Sequence, residues 1–284
     1  MLDASFIRES YFLRRRWPRL RKSVLHGLTR SLGLNSTDQT VVVVSGVPRS
    51  GTTLILELID LDPSADVFHE DDRRLFERYH LKDWETLERL LGQPKTSLTA
   101  LKLLFDVDKL GLLLRSFPNL KVLWIFRRFE NVVLSNMKKF PGGRNKIDQI
   151  VNDAEFKDWR SAEMSGSTKE LIRSHYRPGI SNATAQALFW FQRNQLYFDQ
   201  KLDRSDRVST LNYDALVADP IAQTEKLGSW LGIKHEPRMP RLIKRGSPKP
   251  EVSVDIDPEV RKVCEHMLAR LHNSPSCLRT ESGH

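Results

Sequence analysis

Cysteine is scarce in this sequence of 284 residues, which contains only Cys264 and Cys277. Neither forms a CxxC pair or has the spacing of a zinc site, so the sequence favours a reducing compartment without a disulfide framework or a metal centre. The sequence also lacks an apolar run of about 18 residues, the length that a membrane-spanning helix requires. The apolar core of a secretory signal is missing as well. We therefore expect a cytoplasmic protein.

Acidic residues are outnumbered, with 36 aspartates and glutamates against 45 lysines and arginines, and the formal net charge is +9. Such an excess attracts an anionic ligand but does not indicate specific binding of a nucleic acid. Eight of the basic residues lie in residues 1–30, interleaved with aromatic and aliphatic ones. We predict that residues 1–40 form a basic helical extension. Two interpretations stay open: an amphipathic helix docked on the main domain, or a peripheral contact with a membrane.

Residues 41–53 read VVVVSGVPRSGTT, and the rest of the chain is organised around them. Four consecutive valines are typical of a central parallel strand that is buried on both faces. Gly46 and Gly51 let the backbone approach a ligand, and the helix that follows offers N-terminal amides to an anion. The glycine spacing is that of a Walker phosphate loop, but Thr52 stands where a nucleotide triphosphatase has lysine. Arg49 is the one cation of the loop, so the pattern indicates a different phosphorylated ligand.

Further apolar segments alternate with helical patterns, which predicts an α/β fold. The strand segments after the first are residues 65–68, 97–104, 121–126 and 208–213. We predict one three-layer α/β/α domain over residues 41–272, with a central parallel sheet of the P-loop nucleotide-binding type. Residues 141–180 hold no long periodicity and are predicted to be an acceptor-binding insertion. Residues 73–92 are helical in period, and residues 273–284 are expected to be a disordered tail.

Polar residues follow three of these strands at their carboxyl ends, where ligands bind in open α/β sheets. Glu70 follows the second strand as a site candidate; the alternative is a solvated rim, because four charged residues come directly after it. Lys102 lies near the end of an apolar run, where a lysine that faces an anion is expected. Arg127 follows the fourth strand and Ser135 lies in the next helix. Their guanidinium and hydroxyl groups are therefore expected to converge on one phosphate.

The loop PRSGTT resembles the phosphosulfate loop of the sulfotransferases that use 3′-phosphoadenosine 5′-phosphosulfate (PAPS). The later motifs are similar to that family as well: an arginine at a strand end, a serine eight residues later, and the segment NYDALVADP. The resemblance covers roughly residues 41–232. Residues 116–137, SFPNLKVLWIFRRFENVVLSNM, resemble the tyrosylprotein and bacterial branch of this superfamily.

This resemblance implies a role for each matching residue. Glu70 corresponds to the catalytic base, and Lys102 and Arg49 lie beside the transferred group. The residues implied to hold the donor are Arg49, Ser50, Gly51, Thr52, Thr53, Arg127, Ser135, Lys139 and Tyr213. In this scheme Thr52 and Thr53 hold the 5′-phosphate, and Arg127 and Ser135 hold the 3′-phosphate. PAPS is the implied donor, adenosine 3′,5′-bisphosphate (PAP) is the product, and no metal is required.

The sequence departs from the family pattern in three places. Arg128 and Phe129 replace the Asp-Pro or Asp-Gly that usually follows the arginine. The Arg-Lys-Gly motif of the cytosolic enzymes is absent, with residues 244–246 or Lys249 as weak substitutes. The luminal targeting of the tyrosylprotein enzymes is missing, which argues against a protein substrate of the secretory pathway.

The predicted function is transfer of a sulfuryl group from PAPS to a hydroxyl, or less often an amine, of an acceptor. The sequence does not separate a carbohydrate, lipid, small molecule or peptide acceptor. Two alternatives stay open: a P-loop small-molecule kinase, and a non-catalytic protein that binds polyanions or membranes through its basic N-terminus.

Overall fold

Five parallel strands form the central sheet of this computed structural model, which describes residues 39–139, 145–153, 159–233, 236–243, 254–275 and 277–278. The strands are β1 (Thr40–Gly46), β2 (Ala65–Phe68), β5 (Leu98–Lys102), β6 (Leu120–Phe126) and β7 (Val208–Asn212). Their order across the sheet is β2-β5-β1-β6-β7, and each neighbouring pair is parallel. The valine-rich strand therefore lies in the centre, as predicted.

Helices follow most of these strands. Within the described residues they are α1 (Thr52–Ile59), α2 (Trp84–Leu87), α3 (Leu110–Ser116), α4 (Phe129–Lys139), α5 (Asn145–Asn152), α6 (Gly166–His175), α7 (Asn182–Asp199), α8 (Tyr213–Ala218), α9 (Pro220–Leu231), α10 (Met239–Leu242) and α11 (Pro258–His272). The break between α8 and α9 is set by Asp219, whose side chain accepts the Ala222 N–H at 3.2 Å. Pro220 then occupies the first helical position, where its missing N–H costs nothing.

The helices cover the sheet in two layers, and the side chains of β1 alternate between them. Val41 and Val43 pack in the cluster that holds α3, α4, α7 and α11. Val42 and Val44 pack in the cluster of α1, α8 and α9. All four valines are fully buried. The predicted three-layer α/β/α architecture is therefore confirmed. None of the helices in the described part of the chain is long and apolar enough to span a membrane.

Two predictions about secondary structure were wrong. Within residues 73–92, the chain forms a small antiparallel hairpin of β3 (Phe76–Glu77) and β4 (His80–Leu81) before helical structure resumes at α2. The disordered tail predicted for residues 273–284 is wrong for residues 277–278, because Cys277 bridges β7 and the Leu278 N–H donates to the Thr210 carbonyl at 3.1 Å. Residues 276 and 279–284 lie outside the described part of the chain. The basic extension was predicted over residues 1–40; its residues 1–38 lie outside the described part of the chain, and Thr40 begins β1. The substitutes at 244–246 and Lys249 lie outside the described residues as well.

Candidate active site

Residues from the carboxyl ends of all five strands line one cavity of about 470 Å³. Across the sheet, Glu70 follows β2, Lys102 ends β5, the loop 47–51 follows β1, Arg127 follows β6 and Tyr213 follows β7. The lining residues are Pro48, Arg49, Gly51, Thr52, Thr53, Glu70, Lys102, Leu104, Arg127, Ser135, Lys139 and Tyr213. The structure thus brings together every site residue predicted from the sequence except Ser50. Pro48, the first residue of the motif PRSGTT, and Leu104 also line the cavity, although neither was predicted as a site residue.

Close packing requires a glycine at each end of the loop after β1, at Gly46, which ends the strand, and at Gly51. Gly46 has a φ of 140°, and a Cβ atom there would lie 2.2 Å from the Ile125 carbonyl oxygen. Gly51 has a φ of 102°, and its Cβ would lie 2.1 Å from the Tyr213 ring. Ser50 is fully buried and its Oγ has no hydrogen-bond partner, so its side chain does not line the cavity.

Arg49 also has positive φ, at 77°, a conformation that is costly for a residue with a Cβ. In this conformation its side chain lies in the cavity, and its Nε donates a hydrogen bond to the Ser135 Oγ at 3.0 Å. The loop cation therefore reaches the helix α4 that follows β6. It links the phosphate loop to the pair Arg127 and Ser135.

Lys102 and Glu70 form an ion pair at the β2–β5 side of the cavity. The Lys102 Nζ lies 3.2 Å from the Glu70 Oε2, without the alignment of a hydrogen bond, and donates to the Thr53 Oγ1 at 3.0 Å. The side chain of Lys102 is 9% exposed and that of Glu70 is 24% exposed. His69 is buried and is not among the lining residues. Of these two neighbouring residues, Glu70 lines the cavity and His69 does not.

Arg127 occupies the opposite side of the cavity, between β6 and β7. Its Nε lies 3.5 Å from the Asp214 Oδ1 and is buried without a hydrogen bond, and its guanidinium carbon lies 4.6 Å from the centre of the Tyr213 ring. Its carbonyl accepts the indole N–H of Trp190 at 3.2 Å. A planar cation held this way can still offer a fork of N–H donors to an oxyanion.

Asp214 is a residue of the site that sequence reasoning missed, although it belongs to the motif NYDALVADP. Besides facing Arg127, its Oδ2 accepts the Arg128 N–H at 2.8 Å. This bond defines the turn after β6, where the sequence departs from the family pattern. The next residue, Phe129, begins α4 and is buried in the core.

Positive charge dominates the cavity. Four cationic side chains line it, from Arg49, Lys102, Arg127 and Lys139, while Glu70 is the carboxylate among the lining residues. Such an arrangement stabilises a ligand that carries several negative charges. Within the described residues, no group of three or more His, Cys, Asp or Glu residues is arranged to hold a metal ion.

A family model described as "Sulfotransferase family" matches residues 67–237, which is more than half of the chain. The chain belongs to the sulfotransferase family. As a member of that family, this sulfotransferase is a transferase enzyme. The matched span begins after the phosphate loop, so the position of the loop in the cavity comes from the structure alone.

Several solved structures resemble this sulfotransferase at low sequence identity. A sulfotransferase from Alicyclobacillus acidocaldarius is 14% identical, with a TM-score of 0.47, covering 82% of this chain and 94% of that one. Mouse sulfotransferase SULT7A1, complexed with PAP, is 15% identical, with a TM-score of 0.40 and coverage of 87% and 74%. The sulfotransferase domain of the Synechococcus PCC 7002 olefin synthase is 13% identical, with a TM-score of 0.48 and coverage of 82% and 96%. No curated protein sequence matches the chain.

Proposed function

We propose that this sulfotransferase uses PAPS as its donor and transfers the sulfuryl group to a hydroxyl, or less often an amine, of its acceptor. One observation carries the proposal: loop amides, cationic side chains and a single carboxylate, from five different strand ends, line one cavity. Transfer of a phosphoryl-type group needs this combination, because negative charge must be stabilised while an acceptor loses a proton.

The residues of the cavity fit the two phosphate-bearing ends of such a donor. The buried Arg127 Nε has no hydrogen-bond partner, and the Ser135 hydroxyl lies in the same cavity, so together they would hold the 3′-phosphate. The N-terminus of α1, with Thr52 and Thr53, would hold the 5′-phosphate through amides and hydroxyls. Lys139 and Tyr213 complete this part of the cavity. When bound there, PAPS supplies the sulfuryl group and leaves as the bisphosphate.

Glu70 is proposed to act as the general base that takes the proton from the acceptor hydroxyl. Its carboxylate is partly exposed to the cavity and lies 3.2 Å from Lys102. Lys102 and Arg49 would neutralise the negative charge that develops on the oxygens of the transferred group. The Thr53 hydroxyl, which accepts a hydrogen bond from Lys102, fixes the position of that ammonium group. The residues present thus supply the base and the cations from side chains of the chain itself.

A ligand-binding experiment separates this proposal from a P-loop kinase. Adenosine 3′,5′-bisphosphate should raise the melting temperature of the protein, while ATP with Mg²⁺ should not, because Thr52 replaces the Walker lysine. Transfer of label from PAPS to pools of hydroxyl compounds then tests the reaction itself. Stabilisation by ATP alone would favour the kinase. Absence of any nucleotide effect, together with loss of polyanion binding after deletion of residues 1–30, would favour the non-catalytic alternative.

A further inference from the structure

The carboxylate of Asp214 faces Arg127 but does not line the cavity. Its Oδ1 lies 3.5 Å from the Arg127 Nε, and the Nε has no hydrogen-bond partner. The contact is therefore an attraction between two charges that uses none of the N–H groups of the guanidinium. It holds the arginine from one side and leaves the donors of the guanidinium available to a ligand.

The ring of Tyr213 holds the same guanidinium from a second side. The guanidinium carbon of Arg127 lies over this ring, 4.6 Å from its centre, and Tyr213 directly precedes Asp214 at the start of α8. The ring in turn packs on the phosphate loop at Gly51. A guanidinium is a rigid plane with five donors, so its orientation decides which of them reach an anion. Two consecutive residues of α8 therefore set the orientation of Arg127.

Asp214 is fixed by hydrogen bonds that do not involve Arg127. Its Oδ2 accepts the Arg128 N–H at 2.8 Å, and its own N–H donates to the Asn212 Oδ1 at 2.8 Å. The same Asn212 oxygen accepts the Ala215 N–H at 3.3 Å and so caps α8. A carboxylate tied to the backbone in this way can orient a flexible arginine, whereas a free surface carboxylate would follow the arginine instead.

The charge of the cavity makes such a counterion necessary. Three further cationic side chains line the cavity with Arg127, and like charges repel one another. The lining carboxylate, Glu70, is paired with Lys102 at the other side of the cavity. The side chain of Arg127 is only 19% exposed, so leaving its charge without a counterion would be costly. Asp214 is the carboxylate that the structure places against it.

A carboxylate in this position also repels a bound phosphate, and the two effects have opposite signs. Because Arg127 lines the cavity and Asp214 does not, a phosphate in the cavity lies closer to the arginine than to the carboxylate. The interaction of two charges weakens with distance. We therefore expect the orientation of Arg127 to matter more for binding than the repulsion by Asp214.

Resting on the proposed function, we propose that Asp214 is a positioning residue for donor recognition. It holds Arg127 in the orientation that binds the 3′-phosphate, and it thereby sets the preference for nucleotides that carry this phosphate over those that lack it. Recognition of the 3′-phosphate then depends on two neighbouring strand ends, since Arg127 follows β6 and Asp214 follows β7.

Two nucleotides that differ only in the 3′-phosphate test this proposal. Adenosine 3′,5′-bisphosphate and adenosine 5′-monophosphate are each titrated calorimetrically into the full chain, and the ratio of their affinities measures the contribution of the 3′-phosphate. Asp214→Asn keeps an oxygen for the Arg128 N–H but removes the charge. The ratio should fall by about fivefold or more, as loss of one ion pair implies. The affinity for the monophosphate should stay unchanged, because the 5′-phosphate is assigned to the N-terminus of α1.

A double variant shows whether Asp214 acts through Arg127. In the Arg127→Ala background, Asp214→Asn should cause no further fall in the ratio, because the group that it positions is already gone. The matched control is Asp219→Asn, which removes the same charge from the same motif. Asp219 caps α9 by accepting the Ala222 N–H and does not line the cavity, so this variant should keep the wild-type ratio.

Three results would overturn the proposal. One is an unchanged or higher ratio in Asp214→Asn; a higher ratio would mean that the carboxylate acts on the phosphate by repulsion alone. Another is an equal loss of affinity for both nucleotides, which indicates damage to the fold. The third is a further fall in the double variant. Melting temperatures are measured alongside, and Asp214→Ser, which also offers an oxygen to the Arg128 N–H, replaces Asp214→Asn in case the latter does not fold.

Failure of the proposed function would look different. If the wild type binds the bisphosphate no better than the monophosphate, the 3′-phosphate and PAPS assignments are lost, and the role of Asp214 is lost with them. If the wild type prefers the bisphosphate and transfers label from PAPS, but Asp214→Asn keeps the full preference, only the role of Asp214 is lost.

Discussion

Glu70→Gln probes the proposed chemistry most directly, because it keeps the shape of the side chain and removes its ability to accept a proton. Loss of a general base lowers turnover by about 10²–10⁴-fold, or about 3–5 kcal/mol in the barrier. The structure adds a second effect. Lys102, whose side chain is 9% exposed, loses the carboxylate at 3.2 Å and keeps the hydrogen bond of its ammonium group to the Thr53 hydroxyl. We expect a stability cost of about 1–3 kcal/mol, between the values for exposed and buried ion pairs.

The two effects are separated by three measurements on the same preparation. Single-turnover transfer of label from PAPS gives the chemical step, titration with the bisphosphate gives donor affinity, and urea unfolding gives stability. Turnover should fall, while bisphosphate affinity should stay near that of the wild type, because the residues proposed to hold the two phosphates do not include Glu70. Glu265→Gln, on the exposed face of α11, is the matched control and should alter none of the three. Near-normal turnover of Glu70→Gln would refute the mechanism, and an inactive His69→Ala beside it would move the base to His69.

Three further changes test other parts of the structure. Arg127→Ala should weaken bisphosphate binding by about 1.5–3 kcal/mol and Ser135→Ala by roughly 1 kcal/mol, measured by calorimetry; unchanged affinity in both would remove the 3′-phosphate assignment. Gly51→Ala should abolish bisphosphate binding, because its Cβ would lie 2.1 Å from the Tyr213 ring; a crystal structure with the loop in its original position would contradict this reasoning. Lys146→Met should raise the melting temperature at pH 7, because burial lowers the pKa of Lys146 to about 8, against an ordinary 10.5, which means that folding disfavours the charged lysine. The advantage of the variant should be complete below pH 8, where Lys146 is charged in the folded protein. It should shrink as the pH rises from 8 to about 10.5, because the lysine is then neutral in the folded protein and loses its charge in the unfolded chain as well. An advantage that grows with pH would show that folding raises the pKa of Lys146.

Much of the site was predictable because parallel strands place their carboxyl ends along one edge of a sheet. Glu70, Lys102 and Arg127 could be placed at this edge in advance for this reason, and Ser135 in the helix after Arg127 could be expected to meet it. The ion pair between Glu70 and Lys102 came from the structure. The strand order could not be read from the sequence. It depends on pairings between distant segments, such as Val44 with Lys102, that leave no local pattern.

The elements that were missed lack a local signal for a physical reason. The hairpin turn places Arg78 and Tyr79 at positive φ. Glycine or asparagine at these positions would have indicated the turn in the sequence, but arginine and tyrosine do not. Arg193 resembles any exposed helical arginine in the sequence, and only packing shows it to be fully buried. Asp214 lies in the motif NYDALVADP, and only the structure shows that its carboxylate fixes the turn after Arg127.

The last helix has a consequence for the order in which the protein is made. Among the described residues, none that lines the cavity follows Tyr213, yet α11 (Pro258–His272) packs on α7 and buries Val260, Cys264, Met267 and Leu271. At about 5–20 residues per second, the ribosome adds Tyr213, the last described lining residue, a few seconds before it adds the residues of α11. A chain cut short after α10 would carry those lining residues with an apolar face of α7 uncovered. We expect it to aggregate rather than to be active, so catalysis depends on a helix that contributes no described residue to the cavity.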